Sequence, residues 1–351
     1  MLILKLLIAI VILLILYYIL KFLKQYWSAR HLPTLRNPFA TWSTFLEDGW
    51  EPLLENMSLF KKDGSFPPLI NCGVYLDFST VVSVQDPEGI KQILLHTDVF
   101  EKPPITYDLI KILLGDGLVT ASGDRWKRDR KLLTPLFHFS KLKTYLPLMN
   151  RQANEFAQNL LDNQEKQQIV RYCKQYALHV ITEAVFGDAF DVESFSETFR
   201  MVGDASTFFL GVSFFGSAWA NYVPGPAGRG TQGLINKLKK QIAKRVLEIR
   251  QKQTDADEEN ATDLITTLAL NYDEKEFGLI VDHSLTFLFA GHDTTSILLA
   301  WALFHLADKP AVQQRIVDEV TEVCGNQPIQ PEDLARLQYT KAVLEETLRM
   351  T

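Results

Sequence analysis

From Phe277 to Ala307 the chain is apolar on nearly every side and meets no proline until Pro310. A helix without a polar face has to be covered by other elements, so this segment predicts a long helix through the centre of a helical domain. At 1.5 Å per residue it would stretch roughly 45 Å. Inside it lies Leu288-Phe289-Ala290-Gly291-His292-Asp293-Thr294-Thr295, where two small residues precede an imidazole, a carboxylate and two hydroxyls. Buried polar groups cost free energy unless partnered, so the string points to a chemical task. Ala290 and Gly291 leave room for a planar group to approach the backbone. A loosened helical ladder there would free a carbonyl for the Thr294 hydroxyl or a water. A mid-helix threonine bonding back to its own carbonyl explains the same string.

Helical patterns dominate the rest of the second half. Apolar residues recur three and four apart from Lys141 through Leu160, and over Val170 to Phe186, Leu234 to Ile249 and Asp263 to Leu270. Leu69 to Leu76 and Thr80 to Val84 flank Asp77-Phe78-Ser79 and read as a β-hairpin. Asp86 suits an N-cap with Pro87 at the first helical position. Pro310 and Pro331-Glu332-Asp333 mark two more helix starts, with Gly325 as the stop of the first, and the last helix runs from Gln338 to Met350. Thr254 to Asn260 is polar enough for an exposed loop. The architecture expected is one mainly α domain with a small N-terminal β-sheet.

The N-terminus is different in kind, because Leu2 to Leu20 is apolar except for Lys5. As a helix it nearly spans a bilayer core of ~30 Å. It is long for a signal peptide and no small-x-small cleavage site follows, so an uncleaved anchor over residues 1–24 is expected, with a linker over 25–37. Lys21, Lys24, Arg30 and Arg36 follow the apolar run, which puts the remainder on the cytosolic side.

Composition narrows the function classes. A net charge of -6 and the lack of long basic runs argue against nucleic-acid binding. Cys72, Cys173 and Cys324 lie far apart without Cys-x-x-Cys spacing, which argues against a disulfide framework or a zinc site. His179 and Glu183 share a helical face and His292 adjoins Asp293, but a di-iron centre needs several more ligands at helical spacing.

Two further pairs stand out. Trp126 and Arg130 are four apart and share one helical face, presenting an indole N–H and a guanidinium fork suited to a buried carboxylate. Arg125, Lys127, Arg128 and Lys131 occupy the other faces. Glu346 and Arg349 form an i,i+3 pair that means little when exposed, whereas losing one partner of a buried pair costs roughly 3 to 5 kcal/mol.

Taken in order, Trp126-x-x-x-Arg130 followed by Leu132-Leu133-Thr134-Pro135-Leu136-Phe137-His138-Phe139, then Ala290-Gly291-His292-Asp293-Thr294-Thr295, then Glu346-x-x-Arg349 resemble the cytochrome P450 superfamily of haem-thiolate monooxygenases. In motif style they are nearest to the fatty-acid ω-hydroxylase branch. The resemblance covers about residues 30 to 351. It implies a cytochrome P450-like helical domain over residues 38–351, incomplete at its C-terminus and preceded by one transmembrane helix.

The resemblance also implies roles. Asp293 and Thr294 would relay protons during oxygen activation, Trp126 and Arg130 would hold a haem propionate, and Ala290 and Gly291 would lie against the haem. Glu346 and Arg349 would be structural, as scaffolding for the cysteine loop. Pro103 to Val119 and Phe208 to Pro226 would line the pocket for a lipophilic substrate and its membrane-facing entrance. Some ω-hydroxylases tie the haem covalently through a Glu where this chain has Ala290, so that ester is not expected. No Cys follows Arg349, so no metal ligand is assigned. Electrons would come from NADPH through a reductase, or from a small haem-protein donor, docking on the basic helix at a single-pass endoplasmic-reticulum membrane. The competing reading is a catalytically inactive truncated membrane protein that binds lipid or the reductase. Loss of C-terminal cover would expose apolar surface around Phe289 and Leu298 and lower solubility.

Overall fold

The computed structural model describes residues 12–13, 15–21, 23–24, 27–28, 30–32, 66–74, 80–162, 169–187, 190, 195, 198–199, 226–252 and 264–351. Two compact units emerge, one of Met1–Leu109 with Ser206–Gly228 and one of Ile110–Ala205 with Arg229–Thr351.

In the first unit, β1 (Leu69–Val74) pairs antiparallel with β2 (Thr80–Val84), Leu69 opposite Val84 and Val74 opposite Thr80. The register shifts between Asn71 and Gly73, as one extra residue in a strand requires. The turn expected at residues 77–79 lies outside the described residues. Helix α1 (Pro87–Leu95) starts as its sequence dictates, with Pro87 in the first turn and the Asp86 carboxylate accepting the Gly89 N–H at 2.7 Å. The described residues between 12 and 28 are helical, and their side chains Ile12, Leu13, Ile15, Leu16, Tyr17 and Leu20 are exposed.

Helix α2 (Pro104–Leu114) leads into the second unit, which continues with α3 (Gly123–Leu133), a short α4 (Phe139–Leu142), α5 (Leu146–Asp162) and α6 (Ile169–Phe186). Then follow α7 (Pro226–Lys252), α8 (Leu264–Asn271), α9 (Phe277–Leu306), α10 (Pro310–Cys324) and α11 (Gln338–Met350). The core is built where apolar stripes at helical spacing meet. Helix α7 buries Ile235, Leu238, Ile242 and Val246, α6 buries Leu178, Val185 and Phe186, and α9 buries Ile280, Leu285 and Leu288. Arg245 of α7 donates to the last carbonyl of α6, Phe186 O, at 3.1 and 3.3 Å. Arg250 reaches Tyr272 O at 2.6 Å just beyond α8. Both place a cation at a negative helix end.

The long helix packs chiefly against α6 and also meets α8 and α11. Together with the turn before it, Glu274–Leu306 is the one described helix long and apolar enough to cross a membrane. Its first half is built into the core, with Ser284 and Thr286 bonding back to Ile280 O and Asp282 O at 2.8 and 2.9 Å. Its second half turns one face outward. The exposed large side chains there are Ile297, Trp301 and Phe304, whereas Phe289 packs on the core cluster and Leu298 is half-buried. The open face is therefore offset around the helix from the Phe289–Leu298 position expected.

One expected helix start is not used. Residues 331–336 form turns, and α11 begins only at Gln338. Asp333 spends its carboxylate on the Gln330 N–H at 2.9 Å, closing a turn in place of capping a helix. The stop at Gly325 is as expected, with φ of 61° beyond Cys324.

Candidate functional site

Ala290 and Thr294 share the open side of α9, and the Thr294 Oγ1 donates to Ala290 O at 2.8 Å. This is the i−4 back-bond available to any mid-helix threonine, and here it holds the hydroxyl at an accessible backbone position. Asp293 is half-buried, and its carboxylate makes no hydrogen bond or ion pair among the described residues, while its carbonyl accepts from Ser296 at 2.9 Å. Gly291 points elsewhere. A Cβ on it would sit 2.7 Å from the Ile181 side chain, so its small size serves close packing of α9 on α6. His292 is half-buried beside it, with its ring edge-on to Phe199 at 5.3 Å and its Nδ1 without a partner. Burial holds the His292 imidazole below its ordinary value.

Helix α3 separates its cations into paired and unpaired sets. Arg125 meets Asp116 at 3.2 Å, Lys127 meets Asp124 at 3.6 Å, and Arg128 meets Asp129 at 2.9 Å and Glu276 at 2.7 Å. Arg130 and Lys131 have no acidic partner among the described residues. The Trp126 ring packs against the core cluster, and its indole N–H has no acceptor among the described residues either. Three of the four cations expected to attract an electron donor thus already have internal partners.

Glu346 and Arg349 form a bidentate pair at 2.6 and 2.7 Å, but both are exposed, and Thr347 is the residue that α11 buries. The hydrogen bond between them lowers the Glu346 carboxyl and raises the Arg349 guanidinium. The interior of this helix start is organised by another acid. Glu319 of α10 accepts Tyr339 N at 2.6 Å, Thr340 N at 2.8 Å and Thr340 Oγ1 at 2.7 Å, serving the orphan N–H groups of α11.

Two further arrangements were invisible to motif reading. Asp282 on α9 accepts Asp116 N and Lys239 Nζ, each at 2.9 Å, clamping the Gly115-Asp116-Gly117 turn. Gly115 has φ of +60°, and a Cβ there would fall 2.1 Å from the Asp282 carboxylate. The sequence signal was the Gly-Asp-Gly string. The second is a buried set in which Asp129 and His283 are fully enclosed, the His283 Nε2 standing 3.5 Å from Asp129 Oδ2 and 3.0 Å from the Tyr272 hydroxyl. A carboxylate four residues before the buried Leu133 was its only sequence signal. Glu183, considered above as a metal ligand, pairs with Arg151.

The residues present fit one side of a haem. Among the described residues Trp126 and Arg130 are donors in want of an acceptor, as a propionate requires, and Ala290 and Thr294 keep one turn of the open side of α9 free of bulk. The described thiols do not fit an axial ligand. Cys173 is buried within α6, where desolvation pushes the thiol up to about 11, and burial and the nearby Asp333 carboxylate raise Cys324 at the end of α10. Lining residues 208–225 of the expected entrance lie outside the described residues.

Comparison with known proteins agrees with the motifs. The cytochrome P450 family model matches residues 38–351. Mouse (Mus musculus) "Cytochrome P450 4V2" is 31% identical over 294 residues, covering 77% of this chain and 56% of its own length. "Cytochrome P450 CYP72A219" of Panax ginseng is 28% identical over 80% of this chain and 57% of its own length. "Cytochrome P450 734A1" of Arabidopsis thaliana is 29% identical over 77% and 53%. The chain therefore spans little more than half the length of these relatives. With a family match over nearly all of it and the three motifs in order along α3, α9 and α11, the chain belongs to the cytochrome P450 family.

Proposed function

We propose that this chain is the anchor, linker and larger part of the catalytic domain of a haem-dependent monooxygenase acting on a lipophilic substrate of the fatty acid, sterol or terpenoid class. The observation that carries the reading is the division on α3, where, among the described residues, Trp126 and Arg130 lack polar partners while Arg125, Lys127 and Arg128 have them. Haem, when bound, supplies the redox chemistry that inserts one oxygen atom of dioxygen into a C–H bond. The chain's own residues then do the following. Arg130 and Trp126 hold a propionate by charge-assisted and neutral hydrogen bonds. Asp293 carries a proton inward, and Thr294, whose O–H rests on Ala290 O, helps deliver it by accepting on its oxygen the hydrogen bond of the donor that carries it. Ala290 excludes bulk from the face that the cofactor and substrate share.

The remaining parts follow the family resemblance. Residues 1–24 anchor the protein in the endoplasmic-reticulum membrane as a single span, residues 25–37 link it to the domain at 38–351, and electrons arrive from NADPH through a reductase or small haem-protein donor. On this reading a thiolate ligand would be supplied by sequence outside these residues, the chain spanning little more than half the length of its relatives. The test is the mass and C-terminal peptide sequence of the native polypeptide, together with its haem spectrum. A product continuing past Thr351 with a cysteine-containing loop and a thiolate-type spectrum supports the reading. A 40.0 kDa product without that spectrum supports the inactive, lipid- or reductase-binding alternative.

A further inference from the structure

Helix α3 buries two residues, Leu133 and, unusually, the carboxylate Asp129. A charge taken out of water costs several kcal/mol before partners are counted, so Asp129 is a poor means of merely holding the helix down. One direct partner is its own neighbour in α3 and the other stands on α9. Oδ1 receives Arg128 Nε at 2.9 Å, and Arg128 continues to Glu276 at 2.7 Å in the turn before α9. Oδ2 has no hydrogen bond and faces His283 Nε2 of α9 at 3.5 Å, which in turn stands 3.0 Å from the hydroxyl of Tyr272. Tyr272 is itself fixed through its carbonyl by Arg250 of α7. Asp129 and His283 are both fully buried, so this contact is enclosed, whereas Arg128 and Glu276 stay partly exposed.

We infer that Asp129 and His283, with Tyr272, form a buried latch that fixes the rotation and axial register of α3 against α9, and that they are positioning residues for the anion-binding pair Trp126 and Arg130. The inference rests on the haem-propionate reading of that pair. Apolar contact through Leu133 and the edge of Trp126 is non-directional and leaves α3 free to slip. A slip of one residue moves every side chain about 1.5 Å along and 100° around the axis. Arg130 directly follows Asp129, so whatever fixes the carboxylate fixes the direction in which the guanidinium leaves the helix. Directional polar contacts specify register where apolar ones do not.

The test uses the full chain in lipid nanodiscs and two probes without iron, protoporphyrin IX and its dimethyl ester, which differ only in their carboxylates. Wild type should bind the diacid about tenfold or more tightly than the ester, as one charge-assisted hydrogen bond implies, and Arg130→Ala should abolish the preference. Loss of any preference in wild type overturns the propionate reading and the latch with it. Given the preference, the double replacement Asp129→Leu with His283→Leu decides the latch. It fills the site with apolar volume, should melt close to wild type because relief of the buried carboxylate offsets the Tyr272 hydroxyl left unpaired, and should bind diacid and ester within about twofold of each other. Retention of the tenfold ratio in that variant overturns the latch and leaves the propionate reading standing. Should the double variant not fold, Tyr272→Phe deletes one hydroxyl only, and a ratio unchanged from wild type there overturns the latch equally.

Discussion

Gly291 and Ile181 meet across α9 and α6 so closely that a methyl group on Gly291 would stand 2.7 Å from both Cγ1 and Cδ1 of Ile181. In an ordinary helix interior, replacing glycine by alanine stabilises by about 0.5–1 kcal/mol. Here the sign reverses. Gly291→Ala should destabilise by about 1–3 kcal/mol through overpacking, and adding Ile181→Ala should restore most of the loss, read by denaturant melts of the single and double variants. Equal melting of Gly291→Ala and wild type would show that the helices part easily.

Gly115 makes a different demand. Its φ of +60° and the Asp282 carboxylate 2.1 Å from any Cβ both exclude a side chain. Gly115→Ala is expected to cost about 1–3 kcal/mol from strain alone. Asp282→Asn, which keeps an acceptor for Asp116 N–H but loses the charge facing Lys239, should cost less, and amide hydrogen exchange at residues 115–117 should report the loosened turn in both.

Stability should fall on mild acidification. Burial depresses His283, against the opposing pull of Asp129 and Asp282, and burial depresses His292. In the unfolded chain these imidazoles take up protons near 6.5, while the folded state resists until lower pH. Their contribution is thus fully present above 6.5 and drains away as pH drops below it, ceasing once the folded imidazoles also protonate. Melting temperature measured from pH 8 to pH 5 should decline, and His292→Phe should flatten part of the decline. A melting temperature that rises on acidification would contradict the burial.

Thr294→Val should leave the melt within about 0.5 kcal/mol of wild type, because the hydroxyl is exposed and bonds only to its own helix at Ala290 O. Under the proposed function its cost belongs to chemistry. In the complete, haem-loaded enzyme the variant should form less product per dioxygen consumed, and unchanged product yield would remove Thr294 from the proton path.

Glu346 and Glu319 should behave oppositely. Glu346→Gln breaks an exposed pair and should leave the melt and the exchange of α11 amides unchanged. Glu319→Ala strips the N–H groups of Tyr339 and Thr340 of their acceptor and should accelerate exchange over residues 339–343. The carboxyl of Glu319 is held low because these donors outweigh its desolvation, so this support persists above the ordinary carboxyl value of 4.5 and is lost as pH falls below it.

The features legible in the sequence were those written locally. Asp86-Pro87 announced α1, Gly325 ended α10, three-four spacing located α5 to α8 and an unbroken apolar run located α9, because each depends on residues close in sequence. The place of Trp126 and Arg130 on one helix was legible the same way. Asp129 was not, because its meaning lies in a histidine on α9 and a tyrosine beyond α8, and Arg128 meets Glu276 across 148 positions. Gly291 was read as room for a cofactor, since sequence alone does not say which side of a helix faces which neighbour. Pro331-Glu332-Asp333 misled for a related reason, a proline and acids being as much at home in a turn as at a helix start.

The outward face of α9 has a calorimetric consequence. Ile297, Trp301 and Phe304 are hydrated before the chain unfolds, so melting adds less newly wetted hydrocarbon than the chain's length would suggest. The heat-capacity increment of unfolding should be correspondingly small. A stability curve with little curvature varies slowly with temperature, loses little on cooling and has a shallow maximum. Any body that came to cover those three side chains would make the curve steeper as well as higher.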